Sequence, residues 1–327
     1  MATVFYILIF LGSCAILTFS SRSLVGSLSR IAKFLGWKEF VVGFFIMAMA
    51  TSFPNLFIGI ISAINKVPEL SFGDVVGANI FDLSVVMALA AFVSRRGLAA
   101  QSKTVQGSAF FTMATAILPL LLVIDGNISR PDGIILIAAF IFYVFWIFSK
   151  KDRFEKIYDA EEKIRLKFFL KNIGIFIISV AFLLLAAEGF VKSAMFFADT
   201  LNISVALVGM LIIGVGSSLP ETFFSLHAAR HGHDWLLLGD LMGGVIIVST
   251  LVLGIVALIY PIEINDFAPF AIARIFLIIA AVSFLFFIKT GQKISKKESV
   301  FLILIYIVFL IVIISTQCLK NQVSASC

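Results

Sequence analysis

The chain has 327 residues, of which 61% are hydrophobic and 13% are charged, and its mean hydropathy is +1.11. This composition excludes an ordinary soluble domain, because too little polar surface is available to cover a globule. The net charge of +6 needs no nucleic-acid partner, since basic residues in a membrane protein mark topology and contact anionic lipid.

Apolar stretches long enough to cross a bilayer follow one another along the chain. A spanning helix needs about 20 apolar residues, and ten such stretches are present, approximately 3–20, 40–64, 72–93, 105–124, 132–149, 169–188, 204–227, 236–259, 267–288 and 299–316. The first lacks a basic leading region and a convincing cleavage site, so we interpret it as a retained span. The sequence therefore predicts an all-α polytopic membrane protein with ten transmembrane helices.

One long polar connection divides these spans into two sets of five. We predict a first repeat at 1–148, a charged linker at 149–168 and a second repeat at 169–327. Because each half has an odd number of spans, the second copy enters the membrane from the opposite side, which produces inverted repeats. Most of the 25 lysines and arginines fall on the side of the linker. We therefore expect a cytoplasmic linker and external termini, in the plasma (inner) membrane.

The two halves repeat one polar motif at an offset of 166 residues. The segment "ATSFPN" at 50–55 corresponds to "GSSLPE" at 216–221, and "GDVVG" at 73–77 corresponds to "GDLMG" at 239–243. Inverted repeats with apolar helices interrupted by Gly, Ser and Pro are typical of secondary transporters with an ion site at mid-membrane. The glycine spacing predicts helices that pack closely.

Each copy of the motif places a proline inside a spanning helix. Pro54 and Pro220 each remove one backbone donor and leave a carbonyl without its usual partner, so we predict that the second and seventh helices are broken. Such a carbonyl is costly in hydrocarbon unless protein, water or an ion satisfies it. Hydroxyl groups lie beside both prolines, and neutral oxygens of this kind are ligands for hard cations. These hydroxyl residues are Thr51, Ser52, Ser217 and Ser218.

Four acidic residues accompany the two motifs. Glu221 and Asp82 fall at a depth where an ionised group is costly unless it is paired, hydrated or coordinated, which makes both of them candidates for an ion site. Asp74 and Asp240 fall near the starts of the third and eighth spans. Because an acid there favours the helix dipole, we interpret these two as capping or packing residues.

At these residues the chain resembles the cation/calcium exchanger superfamily, and the resemblance covers nearly the whole sequence. It implies ten helices in two inverted halves, with cation sites enclosed by the second, third, seventh and eighth helices. The first and sixth helices are then expected to slide past that core. The transported ions would be calcium, sodium or protons, with no cofactor. The implied ligands are carbonyls near Ala48 and Gly214 and the side chains of Thr51, Ser52, Ser217, Ser218 and Glu221.

The chain departs from the family pattern at three positions. Asn55 stands where glutamate is usual, Asp82 where asparagine is common, and Val248 where aspartate or asparagine is usual. Asn55 keeps an oxygen ligand but removes one negative charge, and Asp82 restores a charge nearby. Because Asp82 and Glu221 together can neutralise one divalent ion, calcium stays compatible with the site. We therefore add Asn55 and Asp82 to the predicted metal ligands.

These observations favour a secondary-active antiporter that exchanges calcium for sodium or protons by alternating access. Two alternatives stay open, a monovalent cation/proton exchanger and a non-transporting, ion-binding descendant of the family. We do not expect an enzyme, because the chain has no serine elbow of the hydrolase kind. The expected partners are membrane lipid and inorganic cations, without nucleic acid, and the sequence does not determine the oligomeric state.

Overall fold

The computed structural model describes residues 2–34, 47–94, 96–149, 166–264 and 267–325, and these residues are nearly all helical. The helices are α1 (Ala2–Phe34), α2 (Met47–Ile64), α3 (Pro68–Phe81), α4 (Met87–Val93), α5 (Lys103–Leu122), α6 (Arg130–Ser149), α7 (Leu166–Leu201), α8 (Val205–Val208), α9 (Gly214–Ser217), α10 (Leu219–Arg230), α11 (Asp234–Ile247), α12 (Leu253–Ile259), α13 (Phe267–Gly291) and α14 (Lys296–Ala325). Short strands are β1 (Leu98–Ala99), β2 (Asn127–Ile128), β3 (Ile262–Glu263) and β4 (Lys293–Ile294).

Ten helical stretches among the described residues are long and apolar enough to cross a membrane, and they coincide with the ten predicted spans. Helices α1 and α7 extend well beyond their predicted ends, to Phe34 and Leu201. Both continue because they pack along each other and because Arg30 donates a hydrogen bond to Asn172 near one end of the pair. Residues 150–165, which form most of the predicted linker, lie outside the described residues, so the linker and the domain bounds stay predictions.

Three spans contain a π-helical turn, at Asp82–Val86, Gly209–Ile213 and Val248–Val252. The first and third of these turns are 166 residues apart. In both, a hydroxyl group, from Ser84 or Thr250, donates to the carbonyl four residues earlier. Such a bond competes with the regular helical ladder, and π turns often mark functional sites. The same local distortion therefore occurs in both halves, and Asp82 lies within one copy.

The two prolines act differently on their helices. In the seventh span α9 ends at Ser217, and Ser218 separates it from α10, which contains Pro220, so the predicted break is present there. In the second span, helix α2 passes through Pro54 without ending. Residues 35–46, which precede α2, are not described. A proline removes only one ladder hydrogen bond, and the packing of α2 between neighbouring helices keeps it helical.

Glycines bring α3 and the seventh span into backbone contact. A β-carbon added at Gly73 would lie 2.0 Å from the Ala206 carbonyl oxygen, and one added at Gly77 would lie 2.1 Å from the Met210 carbonyl oxygen. No side chain fits at these distances, so the predicted close packing is confirmed for Gly73 and Gly77. This contact places the polar positions of α3 directly against those of the seventh span.

Two short antiparallel sheets join the halves at their connections. Strand β1 pairs with β4 through Leu98 and Ile294, and β2 pairs with β3 through Asn127 and Glu263. Because the single span α5 separates β1 from β2 along the chain, the two sheets lie at opposite ends of the bundle. Each sheet thus ties a connection of the first half to a connection of the second.

Buried apolar side chains form two separate clusters. The larger one fills the bundle of α3 to α6 and α11 to α14. The smaller one consists mainly of α1 and α7, for example Leu17, Leu183 and Phe190, and includes Ile213 of the seventh span. Helices α1 and α7 therefore form a layer of their own that packs against the helices carrying the repeated motif.

Candidate cation site

Two equivalent hydrogen bonds join the halves at the repeated motifs. Thr51 Oγ1 donates to Asp240 Oδ1 at 2.9 Å, and Ser217 Oγ donates to Asp74 Oδ1 at 2.7 Å. Thr51 corresponds to Ser217, and Asp74 to Asp240, at the offset of 166 residues. All four residues are at most 2% exposed. The same contact is therefore made twice, each time between the proline motif of one half and the aspartate of the other.

Of the two roles predicted for Asp74 and Asp240, capping is wrong, whereas packing agrees with their burial. Both lie beyond the first turns of helices that begin at Pro68 and Asp234, and both are fully buried. The dipole argument fails because it acts only within the first turn. A usable signal was in the sequence, since both aspartates repeat at the same offset as the hydroxyls that bind them.

The predicted backbone ligands lie next to these hydroxyls. The Ala48 carbonyl oxygen is 3.2 Å from Thr51 Oγ1, and the Gly214 carbonyl oxygen is 3.2 Å from Ser217 Oγ. A hydroxyl group has a single proton, and the shorter contact to the carboxylate takes it. Each proline motif thus places a carbonyl and a hydroxyl of its own half beside a carboxylate oxygen of the other half.

Asn55 and Glu221 occupy equivalent positions but behave differently. Asn55 Nδ2 donates to Asp74 Oδ2 at 3.3 Å and to Ser217 Oγ at 3.1 Å. Glu221 is only 4% exposed, and its Oε2 has no hydrogen-bond partner. The amide therefore supplies donors to one aspartate, whereas the glutamate cannot supply a donor when it is ionised.

Several buried oxygens around the two motifs have no hydrogen-bond partner in the part of the chain that the structure describes. They are Ser52 Oγ, Ser218 Oγ, Asn79 Oδ1, Asp82 Oδ1, Glu221 Oε2 and Asp240 Oδ2. Three of them belong to carboxylates on elements that pack against one another, where ionised groups repel each other. A buried polar group without a partner is costly, and a buried charge more so. The arrangement is therefore suited to a positive ion.

Asp82 and Val248 occupy equivalent positions of the two repeats, but their side chains differ in chemistry. Asp82 begins its π turn, is 7% exposed and lies beside Ser218. Val248 begins the equivalent π turn and packs in the larger apolar cluster. The first half thus contributes a carboxylate at this position, whereas the second half contributes an apolar side chain.

The donor set fits a hard cation. In the described part of the chain, no group of three or more His, Cys, Asp or Glu side chains is arranged to hold a metal ion. A cation at this position would therefore take most of its ligands from hydroxyl, amide and backbone oxygens, with one or two carboxylates. Calcium and sodium accept such ligands, whereas zinc prefers imidazole and thiolate.

A cavity of about 620 Å³ between α1 and α10 leads to the motifs from one end of the bundle. It reaches Thr51 and Pro220, and Arg22, His227 and Arg230 also line it. A cavity of about 120 Å³ at the opposite end is lined by acidic residues such as Glu69 and Glu263, and it touches none of the predicted site residues. In this conformation the larger of these two cavities reaches the site from the end of the bundle that carries Arg22 and Arg230.

The nine predicted site residues meet around this region of the fold. Thr51, Ser52, Asn55, Ser217, Ser218, Glu221 and Asp82 are all buried, and so are Ala48 and Gly214. Their elements, α2, α3 and the segments of the seventh span, pack against one another and against α11. Cation binding by these residues stays a prediction. The structure adds Asp74 and Asp240 to the group.

Known proteins share both the sequence and the fold of this chain. The sodium/calcium exchanger protein family model matches residues 5–149 and, again, residues 171–315. The sodium/calcium exchanger MaX1 of Methanosarcina acetivorans is 27% identical over 358 aligned residues, which cover 96% of this chain and 99% of that protein. The inner membrane protein YrbG of Escherichia coli is 25% identical over 281 residues, 83% of this chain and 84% of that protein.

A solved structure shows the same architecture. The sodium-calcium exchanger NCX_Mj, in crystals soaked with 2.5 mM Na⁺ and 0.1 mM Ca²⁺, superimposes with a TM-score of 0.65 at 25% identity, over 95% of this chain and 98% of that one. The family model matches both halves separately, as expected for two repeats, and the ten apolar helices agree with a multi-pass membrane protein. The chain belongs to the sodium/calcium exchanger family of cation antiporters.

Proposed function

We propose that this protein exchanges calcium for sodium or protons by alternating access at the site formed by α2, α3, the seventh span and α11. The observation that carries the proposal is the pair of equivalent hydroxyl–aspartate contacts. These contacts hold the two motifs against each other beside buried carboxylate and hydroxyl oxygens that lack partners.

Calcium fits the charge and the ligands of this site. Asp82 and Glu221 together supply the two negative charges that neutralise one divalent ion. Calcium takes six to eight oxygen ligands, and hydroxyls such as Ser52 and Ser218, together with backbone carbonyls, supply neutral oxygens. The relatives MaX1 and NCX_Mj are named as sodium/calcium exchangers, which supports sodium as a coupling ion.

Alternating access is supported by two features of the fold. The large cavity connects Thr51 to the end of the bundle that carries Arg22 and Arg230, and we assign this end to the cytoplasm from the distribution of basic residues. Helices α1 and α7 form a separate packed layer. We propose that this layer moves relative to the other helices, which closes one entrance and opens the other, in a plasma (inner) membrane with both termini external.

A monovalent cation/proton exchanger is the second candidate. It is favoured by Asn55 and Val248, which stand where the family pattern has charged or polar ligands. Fewer carboxylates favour ions of lower charge, because each retained acid can be neutralised by one monovalent ion. A non-transporting descendant would bind ions without moving them.

The proposal is tested by calcium uptake into liposomes that contain the purified protein. We expect uptake of labelled calcium to depend on an imposed sodium or proton gradient. Glu221→Gln should reduce uptake to the level of empty liposomes, because it removes one of the two charges that balance calcium. Glu188→Gln is the matched control, since Glu188 pairs with Lys192 at the partly exposed surface of α7, and it should transport like the wild type.

The outcomes separate the candidates. Sodium or potassium flux driven by a proton gradient, without calcium uptake, would replace the calcium proposal with the monovalent exchanger. Absence of every cation flux would indicate a descendant that does not transport. Full calcium uptake by Glu221→Gln would contradict the site described here.

A further inference from the structure

The Asn55–Asp74 hydrogen bond has no counterpart among the described residues at the equivalent positions of the other half, Glu221 and Asp240. In the first half the Asn55 amide donates to Asp74 Oδ2 at 3.3 Å. In the second half the equivalent atoms, Glu221 Oε2 and Asp240 Oδ2, are both buried and both without a hydrogen-bond partner. The equivalent positions therefore hold an amide and a carboxylate in the first half and two carboxylates in the second.

Glu221 and Asp240 are buried on α10 and α11, which pack against each other, so two ionised carboxylates at these positions repel each other. Like charges in a poorly hydrated interior are unfavourable unless a positive group lies between them. Thr51 binds only Oδ1 of Asp240, which leaves Oδ2 as an available ligand oxygen. Thr51 also lines the large cavity, so an ion entering through that cavity arrives beside Asp240.

We propose that Glu221 and Asp240 jointly bind one calcium ion, which supplies the positive partner that the Asn55 amide donor provides to Asp74 in the other half. This inference rests on the proposed function and adds to it a ligand that the sequence analysis did not include. Asp240 would supply, from a different turn of the eighth span, the carboxylate that Val248 lacks. Hydroxyl and carbonyl oxygens complete the coordination, in keeping with a site that has few acidic ligands.

Asp74 is the matched control for Asp240. Both aspartates are fully buried, both accept a hydrogen bond from a motif hydroxyl, and both lie at the same position of their repeats. Asp74 differs because both of its oxygens accept hydrogen bonds, from Ser217 and from Asn55. A general effect of removing a buried charge should appear in both variants, whereas loss of a calcium ligand should appear only at Asp240.

The experiment is isothermal titration of calcium into the purified full-length protein and three variants. We expect Asp240→Asn and Glu221→Gln each to weaken calcium binding by about 30-fold or more, since each removes a charged ligand from a buried ion. Asp74→Asn should change the affinity by about threefold at most, because asparagine can still accept the Ser217 hydrogen bond.

Equal, small effects of Asp240→Asn and Asp74→Asn, together with a large effect of Glu221→Gln, would overturn this inference and leave the proposed function intact. A wild-type protein that binds no calcium would instead overturn the proposed function. If Asp240→Asn does not fold, anomalous scattering from wild-type crystals soaked with strontium decides the question. A strontium peak within about 2.8 Å of carboxylate oxygens of both Glu221 and Asp240 supports the inference, given ligand distances of this order. Strontium peaks that all lie farther than this from Asp240 overturn it.

Discussion

The two halves of the site share one framework and differ in charge. In each half a motif hydroxyl binds a buried aspartate of the other half, at 2.9 Å for Thr51 and 2.7 Å for Ser217. Asp74 receives a second hydrogen bond from Asn55, whereas Asp240 keeps one oxygen without a partner. The repeated fold therefore determines where ligands lie, and single substitutions between the repeats determine which of them are left to bind an ion.

The framework can be tested at the closest backbone contact, where the largest effect is expected. Gly77→Ala places a β-carbon about 2.1 Å from the Met210 carbonyl oxygen, so α3 and the seventh span must separate. Overpacking of this kind costs about 1–3 kcal/mol or more, and we expect a much lower midpoint of thermal unfolding in detergent. The midpoint is measured by loss of the monodisperse peak in size-exclusion chromatography.

Gly244→Ala is the control for that change. A β-carbon at Gly244 would meet only Ser52 Oγ, at 3.7 Å, and the equivalent residue of the first half is already Ala78. We expect its midpoint to stay close to that of the wild type. A midpoint for Gly77→Ala as high as that of Gly244→Ala would contradict the described packing of α3.

The charge difference can be abolished by making the two halves alike. Asn55→Glu removes the donor to Asp74 and creates a second pair of facing carboxylates, equivalent to Glu221 with Asp240. Without calcium we expect lower stability, because like charges are buried together. With calcium we expect one additional bound ion per protein in isothermal titration. Unchanged stability and an unchanged number of bound ions would show that the two positions are not equivalent.

The motif hydroxyls give the smallest expected effect. Thr51→Val removes the one side-chain hydrogen bond that Asp240 accepts from the described residues, and an unsatisfied buried acceptor costs about 1–3 kcal/mol. Ser217→Ala also frees one oxygen, Oδ1 of Asp74, but this carboxylate keeps its Asn55 bond at Oδ2, so the loss should be smaller, about 1 kcal/mol. We expect the two thermal midpoints to differ without calcium and to converge when calcium binds and neutralises Asp240.

The reverse order would show that Asp74 depends more on its hydroxyl than Asp240 does. A difference that persists at saturating calcium would show that the ion does not contact Asp240. Both outcomes are read from the thermal unfolding curves of Thr51→Val and Ser217→Ala, each recorded with and without calcium.

Much of the fold was predictable because hydropathy is a local property of the chain. The ten spans, the duplicated motif and the hydroxyls beside the prolines all followed from residue types and spacing. The ends of α1 and α7 did not, because packing between these two helices extends them past the apolar stretches. The effect of the proline motif was not predictable either, because the seventh span is interrupted at Ser218 whereas α2 continues through Pro54.

Composition and the repeated motif were sufficient to establish a two-part membrane bundle with polar groups at its centre, since the cost of polar atoms in hydrocarbon restricts where they can lie. Which hydroxyl of one half contacts which aspartate of the other half is determined only by the tertiary structure. Thr51 and Asp240 are 189 residues apart in the chain, and no local pattern states which hydroxyl meets which acid or which oxygen stays without a partner. Those contacts depend on how the inverted repeats face each other, and they distinguish Asp240 from Asp74.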